Sequence, residues 1–265
     1  MKKIITLFDV TNAPWHVLTF AIKIAKGDGI PLTGVFLSAR DSKTSLRYPF
    51  PNDMSLTGDK LSNEIITREN ALLMDDNIKL FTAECVNEGI TFEIQKNVSI
   101  ESITNECMSI DLIVADTRAD FLDELLPKIS CPVCLASENN LPEKVVLMLD
   151  EGDSSRNAIE KFAELFPRLS ALPSEVVSIN LTKDQQMANE EYVKQHLHQQ
   201  FSSLTQKNLQ GNTRKELLKF LGKEQEHVMV VMGAFGRSGV SMFFKESLAD
   251  VVLRETRLSL FIVHR

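Results

Sequence analysis

Residues 228–239 read Val-Met-Val-Val-Met-Gly-Ala-Phe-Gly-Arg-Ser-Gly, a short apolar run that passes directly into a glycine-bearing loop. Apolar residues that do not alternate with polar ones are typical of a strand buried on both faces, as in a parallel sheet. A helix is predicted to follow at residues 246–255. A strand, a loop and a helix in this order form part of a βαβ unit, so the segment predicts an α/β fold.

The pattern of short strands alternating with helices runs along the whole chain and occurs twice. In the first half, strands are predicted at residues 3–8, 32–38, 91–96, 112–115 and 133–136, and helices at 13–26, 59–87, 100–108 and 121–128. In the second half, strands are predicted at residues 145–149, 176–181, 228–232 and 258–264, and helices at 155–166, 184–207, 213–222 and 246–255. The sequence therefore predicts two tandem doubly wound, Rossmann-like parallel-sheet domains, residues 1–138 and 143–265, joined by a polar linker.

The composition is that of an ordinary globular protein, with 43% hydrophobic and 25% charged residues among 265. The net charge of −7 argues against nucleic acid and against an anionic membrane surface as partners. No apolar run approaches the roughly 20 residues of a membrane-spanning helix. The apolar run after Met1-Lys2-Lys3 is shorter than the roughly 7–15 residues of a signal peptide. We expect a soluble, cytoplasmic protein.

Cys131 and Cys134 form a Cys-x-x-Cys pattern, which raises the question of a redox or zinc site. The pair leads into a predicted strand, where three extended steps separate the Cα atoms by roughly 10 Å, beyond the roughly 7 Å that a disulfide tolerates. Redox motifs instead place their first cysteine at a helix N-terminus. The four cysteines are therefore predicted to be buried core thiols.

The common signatures of catalysis are missing from the sequence. There is no nucleophile elbow, no Walker A loop and no dinucleotide-binding Gly-x-Gly-x-x-Gly after a strand. His196 and His198 lie two residues apart on a predicted helix, so their side chains diverge and cannot share a metal ion. We predict that the chain is not an enzyme and has no protein-built metal site.

Taken in order, these segments resemble a tandem universal stress protein over nearly the whole chain. In both halves the first strand ends in aspartate, at Asp9 and Asp150. The other matching pieces are residues 111–114, 131–133, 230–239, 247–253 and 258–263. The resemblance implies two Rossmann-like domains and a function in the stress response.

Nucleotide-binding members of this family share a loop of the form Gly-x-x-Gly, nine residues, then Gly-Ser or Gly-Thr. Its glycines let backbone N–H groups approach phosphates ahead of a helix N-terminus. The resemblance implies that ATP or another adenine nucleotide, with Mg²⁺, binds in the second domain. The residues that it assigns to this site are Asp150, Leu181, Met232, Gly233, Gly236, Arg237 and Ser247.

Two departures from the family loop bear on binding. Glu246 stands where the second Gly is expected, and a carboxylate beside phosphates is unfavourable unless Lys245, Arg237 or Mg²⁺ compensates it. In the first domain, Asp116 and Ala119 replace the two loop glycines. We therefore predict that the first domain binds no nucleotide and that Asp9 there caps a strand-to-helix turn.

Three functions follow as alternatives: a nucleotide-sensing stress protein, a nucleotide-free scaffold that acts through unknown protein partners, and a slow ATPase. For the last, Glu246 and Asp150 are the candidate bases.

Family members often pair their last strands antiparallel across a two-fold axis. We expect residues 131–136 and 258–263 to pair in this way within one chain, as an intramolecular pseudo-dimer. Whether two chains associate further into a homodimer stays open.

Overall fold

The computed structural model divides the chain into two compact units, Met1–Ile129 and Ser130–Arg265. It describes residues 3–9, 14–38, 57–138, 141–150, 152–224, 227–233 and 248–263, without the side chains of residues 28, 57–66 and 250. In the described part of the chain, no helix is both long enough and apolar enough to cross a membrane.

The described part of the first unit is a parallel sheet with strand order β3-β2-β1-β4. The strands are β1 (Ile4–Phe8), β2 (Leu32–Leu37), β3 (Phe92–Val98) and β4 (Leu112–Asp116). The helices are α1 (Trp15–Asp28), α2 (Thr57–Asn87), α3 (Ile100–Glu106) and α4 (Leu122–Leu125). Because β1, β2 and β4 are buried throughout, their continuous apolar sequences match a sheet that is covered on both faces.

Four aromatic rings form the centre of the first core. Phe8 stacks on Phe36 with ring centroids 5.2 Å apart, and the edge of Phe81 meets both rings and Phe92 at 5.8–6.1 Å. Phe81 comes from α2, so this helix covers the sheet from one side. The sequence predicts a buried face for this helix from the near-3.6-residue spacing of its apolar residues, which are Leu61, Ile65, Leu72, Leu73 and Phe81. The structure leaves Leu72 59% exposed. The actual buried face contains Met74, Ile78, Phe81, Cys85 and the polar Asn70.

The second unit has strand order β5-β10-β9-β6-β7-β8 in its described part. Its strands are β5 (Val133–Ala136), β6 (Lys144–Met148), β7 (Pro173–Ile179), β8 (Ser203–Leu209), β9 (Val228–Gly233) and β10 (Ser259–Val263). Its helices are α5 (Asp153–Leu165), α6 (Pro167–Ser170), α7 (Lys183–His196), α8 (Thr213–Leu221) and α9 (Leu248–Glu255). Strand β10 pairs parallel with β9, β9 with β6, β6 with β7 and β7 with β8, whereas β5 and β10 pair antiparallel.

The antiparallel pairing predicted for residues 131–136 and 258–263 is confirmed. Leu260 lies opposite Leu135, Phe261 opposite Cys134 and Ile262 opposite Val133. Beyond the ladder, the Ser137 N–H donates a hydrogen bond of 3.1 Å to Ser259 Oγ. The four cysteines are free and buried, as predicted, and burial raises the pKa of the Cys134 thiol, which disfavours a reactive thiolate.

The predicted helix at residues 184–207 is wrong in its second half. Helix α7 ends at His196, a 3-10 turn covers Leu197–Gln199, and the chain then forms the edge strand β8. The misleading signal is the helical spacing of Val193, Leu197, Phe201 and Leu204. Phe201 is buried because it packs in the turn, with its ring 6.5 Å from that of Phe162, and not because a helix continues through it.

Candidate functional site

The carboxyl ends of β6, β7 and β9 meet at one edge of the second sheet. These strands are parallel neighbours, with Leu147 opposite Val231 and Met148 opposite Val177. Asp150 follows β6, Leu181 follows β7, and Met232 and Gly233 end β9. Doubly wound sheets bind their ligands at this edge. Of the predicted site residues, Gly236, Arg237 and Ser247 lie outside the described residues, as do Lys245 and Glu246.

Asp150 is held in a fixed orientation by the turn that precedes α5. Its Oδ1 accepts hydrogen bonds from the Gly152 N–H at 2.8 Å and from Ser155 Oγ at 2.6 Å. The Asp150 N–H in turn donates to Ser155 Oγ at 3.2 Å. Within the described residues, Oδ2 accepts no hydrogen bond, and the side chain is exposed. The turn therefore presents one carboxylate oxygen as an acceptor at the edge of the sheet.

Gly233 permits a close approach between β9 and the first turn of α5. A Cβ atom on this residue would lie 2.5 Å from Ser154 Oγ and 2.7 Å from the Ser154 carbonyl carbon and oxygen. No side chain can be accommodated there without moving the helix backbone. Glycine at the end of β9 thus serves local packing, in addition to the role that the family resemblance assigns to it.

Asn180 fixes the turn after β7, and the sequence analysis missed it. Its φ of 58° is in the left-handed region, which asparagine tolerates better than most residues. Asn180 Nδ2 donates to the Gly211 carbonyl at 2.7 Å, and the Gly211 N–H donates back to Asn180 Oδ1 at 2.9 Å. Thr182 and Gln185 then form a capping box at the start of α7. These contacts position the half-buried Leu181 between two fixed turns.

The corresponding edge of the first unit contains a carboxylate instead of a glycine. Asp116 ends β4 beside β1, as Gly233 ends β9 beside β6. Its Oδ1 accepts a hydrogen bond of 2.8 Å from the Arg118 N–H, and its Oδ2 lies 3.5 Å from His16 Nε2 on α1. Burial raises the pKa of Asp116, but His16 and Arg118 together outweigh it and hold the pKa below its ordinary value.

The lowered pKa of Asp116 predicts how stability changes in acid. Because the folded-state pKa is below the unfolded value of about 3.9, Asp116 stabilises the fold above that value and loses this contribution as pH falls through the folded pKa. We expect the free energy of unfolding to fall less steeply in Asp116→Asn than in the wild type as pH falls below about 4. Urea denaturation at several pH values measures this free energy in both proteins. If it falls equally steeply with pH in both, Asp116 does not have a lowered pKa in the folded state.

A protein-built metal site is not found in the described residues, where no three His, Cys, Asp or Glu side chains group suitably. The described edge of the second sheet likewise presents Asp150 without a base or nucleophile bonded to it, apart from the Ser155 hydroxyl that orients it. The described edge thus combines an oriented acceptor with a tightly packed strand end.

Comparison with known proteins identifies this architecture through structure alone. No family model and no curated protein matches the sequence. A universal stress protein from Archaeoglobus fulgidus superposes with a TM-score of 0.63 at 14% identity, covering 98% of this chain and 98% of its own. The chain has the universal stress protein fold.

Two further solved structures agree over nearly the full length. A Pseudomonas aeruginosa protein described as a universal stress protein gives a TM-score of 0.60 at 14% identity, covering 99% of this chain and 93% of its own. A second Pseudomonas aeruginosa protein, described as functionally unknown, gives a TM-score of 0.58 at 14% identity, and the match covers 99% of this chain and 92% of its own. Because the matches extend over both units, the universal stress protein fold accounts for the whole chain.

Proposed function

We propose that this chain is a nucleotide-sensing protein of the universal stress protein type, acting in the cytoplasm, and that it binds ATP or another adenine nucleotide in its second unit. The observation that carries the proposal is the oriented carboxylate of Asp150 beside the close contact between Gly233 and Ser154. Both support the proposal, because they leave a carboxylate oxygen available near the end of β9, where the glycine-bearing loop begins.

In this proposal, one group of residues binds the nucleoside and another binds the phosphates. Asp150 Oδ2 is suited to accept a hydrogen bond from a hydroxyl or amino group of the nucleoside, and Leu181 offers apolar surface to the base. Backbone N–H groups of the loop from Gly233 through Gly236 and Arg237 to Ser247 are the proposed phosphate cradle, ahead of α9. Mg²⁺ would bring the phosphates and the Glu246 carboxylate together.

Binding, and not turnover, is the proposed activity. Among the described residues of this edge, Asp150 is the one group that could activate a water molecule; its Oδ1 is engaged by Gly152 and Ser155, and its Oδ2 is the atom proposed to bind the nucleoside. A slow ATPase that uses Glu246 or Asp150 is the alternative within the enzyme class. Release of inorganic phosphate from ATP, measured over hours with the purified chain, distinguishes the two.

Thermal shift with added ATP and Mg²⁺ tests the site. A ligand at 100 times its Kd adds about 2.7 kcal/mol to the free energy of unfolding. Asp150→Asn keeps an oxygen acceptor but turns the second oxygen into a donor, so we expect ATP affinity to fall by about tenfold to a hundredfold. Asp153→Asn, an exposed acid at the start of α5, is the matched control and should bind like the wild type.

The outcome that contradicts the site is equal affinity in Asp150→Asn and Asp153→Asn. Gly233→Asp is a poor probe of phosphate binding, because any side chain at Gly233 meets the backbone of Ser154 at 2.7 Å and weakens binding through misfolding alone. Acid extraction of the purified wild type, followed by chromatography, provides an independent check for nucleotide carried through purification.

A nucleotide-free scaffold is the second candidate, and the outer face of α2 favours it. Leu72, Leu80 and Val86 are 59%, 54% and 64% exposed on this one helix. Exposed apolar residues grouped on one face are typical of contact surfaces. If ATP produces no thermal shift, the wild type and a Leu72→Ser, Leu80→Ser double variant should differ in self-association or in partner binding.

A further inference from the structure

The start of α1 is tied to the end of β4 by a contact that has no counterpart in the second unit. There, Gly233 lets the backbone of Ser154 pack directly on the strand end. In the first unit the strand ends in Asp116, and the contact runs through side chains: His16 Nε2 lies 3.5 Å from Asp116 Oδ2. The side chains of His16 and Asp116 are only 17% and 7% exposed.

The carboxylate of Asp116 is held from two sides. The turn after β4 supplies the Arg118 N–H to Oδ1 at 2.8 Å and the Arg118 Nε at 3.8 Å. Helix α1 places the buried Nε2 of His16 3.5 Å from Oδ2, an electrostatic contact without hydrogen-bond geometry. A buried carboxylate that lost the imidazole would keep only part of this compensation, so the two elements hold each other in place.

Several other charged groups adjoin this pair in sequence. Asp9 follows β1, and Asp120, Asp123 and Glu124 follow β4 in the turn and in α4. With Asp116 they make the segments that follow β1 and β4 predominantly acidic, and Arg118 and the imidazole of His16 are the groups that oppose this charge. A phosphate approaching this edge would meet a negative field.

We propose that His16 and Asp116 form an internal clasp that keeps the ligand edge of the first unit closed, so that this unit does not respond to nucleotide. This inference goes beyond the proposed function, because it concerns the other unit and stands whether or not the second unit binds ATP. The clasp replaces the contact that Gly233 makes with Ser154 in the second unit, because it fixes α1 to the end of β4. It also leaves the Asp116 carboxylate at the position where a phosphate-binding loop would begin.

Trp15 provides a built-in reporter, because it is the one tryptophan of the sequence and lies next to His16 at the first position of α1. Acrylamide quenching of its fluorescence measures how exposed it is. Trp15 is already 52% exposed, so opening of the helix start should raise the quenching constant by up to about twofold. We expect this rise in Asp116→Asn and in His16→Gln, and no rise in Asp120→Asn, an exposed acid of the same turn.

The double variant Asp116→Asn, His16→Gln should have the same quenching constant as either single variant, because each single substitution already breaks the same contact. Circular dichroism and thermal melting confirm that each variant is folded. Adding ATP and Mg²⁺ to the wild type should leave Trp15 emission unchanged. The proposal is overturned if both single variants quench like Asp120→Asn, or if ATP shifts Trp15 emission in the wild type.

Discussion

Replacing Phe261 with proline is expected to lower the free energy of unfolding by about 6 kcal/mol or more, because two large losses combine. Phe261 is fully buried in β10, and its ring meets Phe162 and Phe166 edge-on at 5.4 Å each. Removing such a ring costs about 3–5 kcal/mol. Proline also removes a backbone donor from a strand that is paired on both sides, with Val231 and with Cys134.

Denaturant unfolding of three variants separates these losses. Phe261→Leu keeps most of the volume and should cost less than about 1.5 kcal/mol, whereas Phe261→Ala should cost about 3–5 kcal/mol. Phe261→Pro should be the most destabilised or fail to fold. If the leucine, alanine and proline variants all unfold at the wild-type midpoint, β10 is not the central strand that the structure places between β5 and β9.

Gly233→Ala is expected to lower the free energy of unfolding by about 3 kcal/mol, at the upper end of the range for overpacking. The added Cβ would lie 2.7 Å from backbone atoms of Ser154, so the first turn of α5 must move. Ser155 belongs to that turn and donates to Asp150 Oδ1, so the expected shift extends to the orientation of the Asp150 carboxylate.

Gly29→Ala is the matched control for this substitution. Gly29 follows α1 with a φ of 63°, and nothing lies within 4 Å of the position of a Cβ atom, so alanine there meets backbone strain without a steric clash. Its expected cost is about 1–2 kcal/mol. Equal stabilities of Gly233→Ala and the wild type, measured by urea denaturation, would contradict the close packing of β9 on α5.

Much of the fold could be predicted from local sequence signals. The short, mostly apolar runs of β1, β4 and β9 are typical of buried parallel strands, and their alternation with helices predicts the doubly wound sheets. The pairing of residues 131–136 with 258–263 rested on the family resemblance, and the register between Phe261 and Cys134 confirms it.

Other elements could not be predicted, because tertiary packing overrides local periodicity. The helix predicted at residues 184–207 includes residues 203–207, yet these belong to the edge strand β8 beside β7, where side chains are largely exposed and leave little apolar pattern. Leu72 has helical spacing but is exposed, whereas Asn70 of the same helix is buried. Single residues of an amphipathic helix follow the shape of the sheet beneath them, which the sequence does not specify.

Some residues of the candidate site could be predicted from the sequence and others could not. Asp150 and Gly233 belong to the strand ends that resemble the family, and the structure brings these strand ends to one edge. Ser155 and Asn180 hold the neighbouring turns through hydrogen bonds, and no sequence motif identifies these two residues. His16 and Asp116 are 100 positions apart in sequence, so only the fold shows that they meet.

Isothermal titration of ATP with Mg²⁺ into the purified wild-type chain tests whether the second unit binds a nucleotide. We expect saturable binding of one nucleotide per chain, weakened by about tenfold or more in Asp150→Asn and unchanged in Asp153→Asn. Absence of binding to nucleotide-free wild-type protein would contradict a nucleotide site in the second unit. Two nucleotides per chain would contradict the closed edge of the first unit.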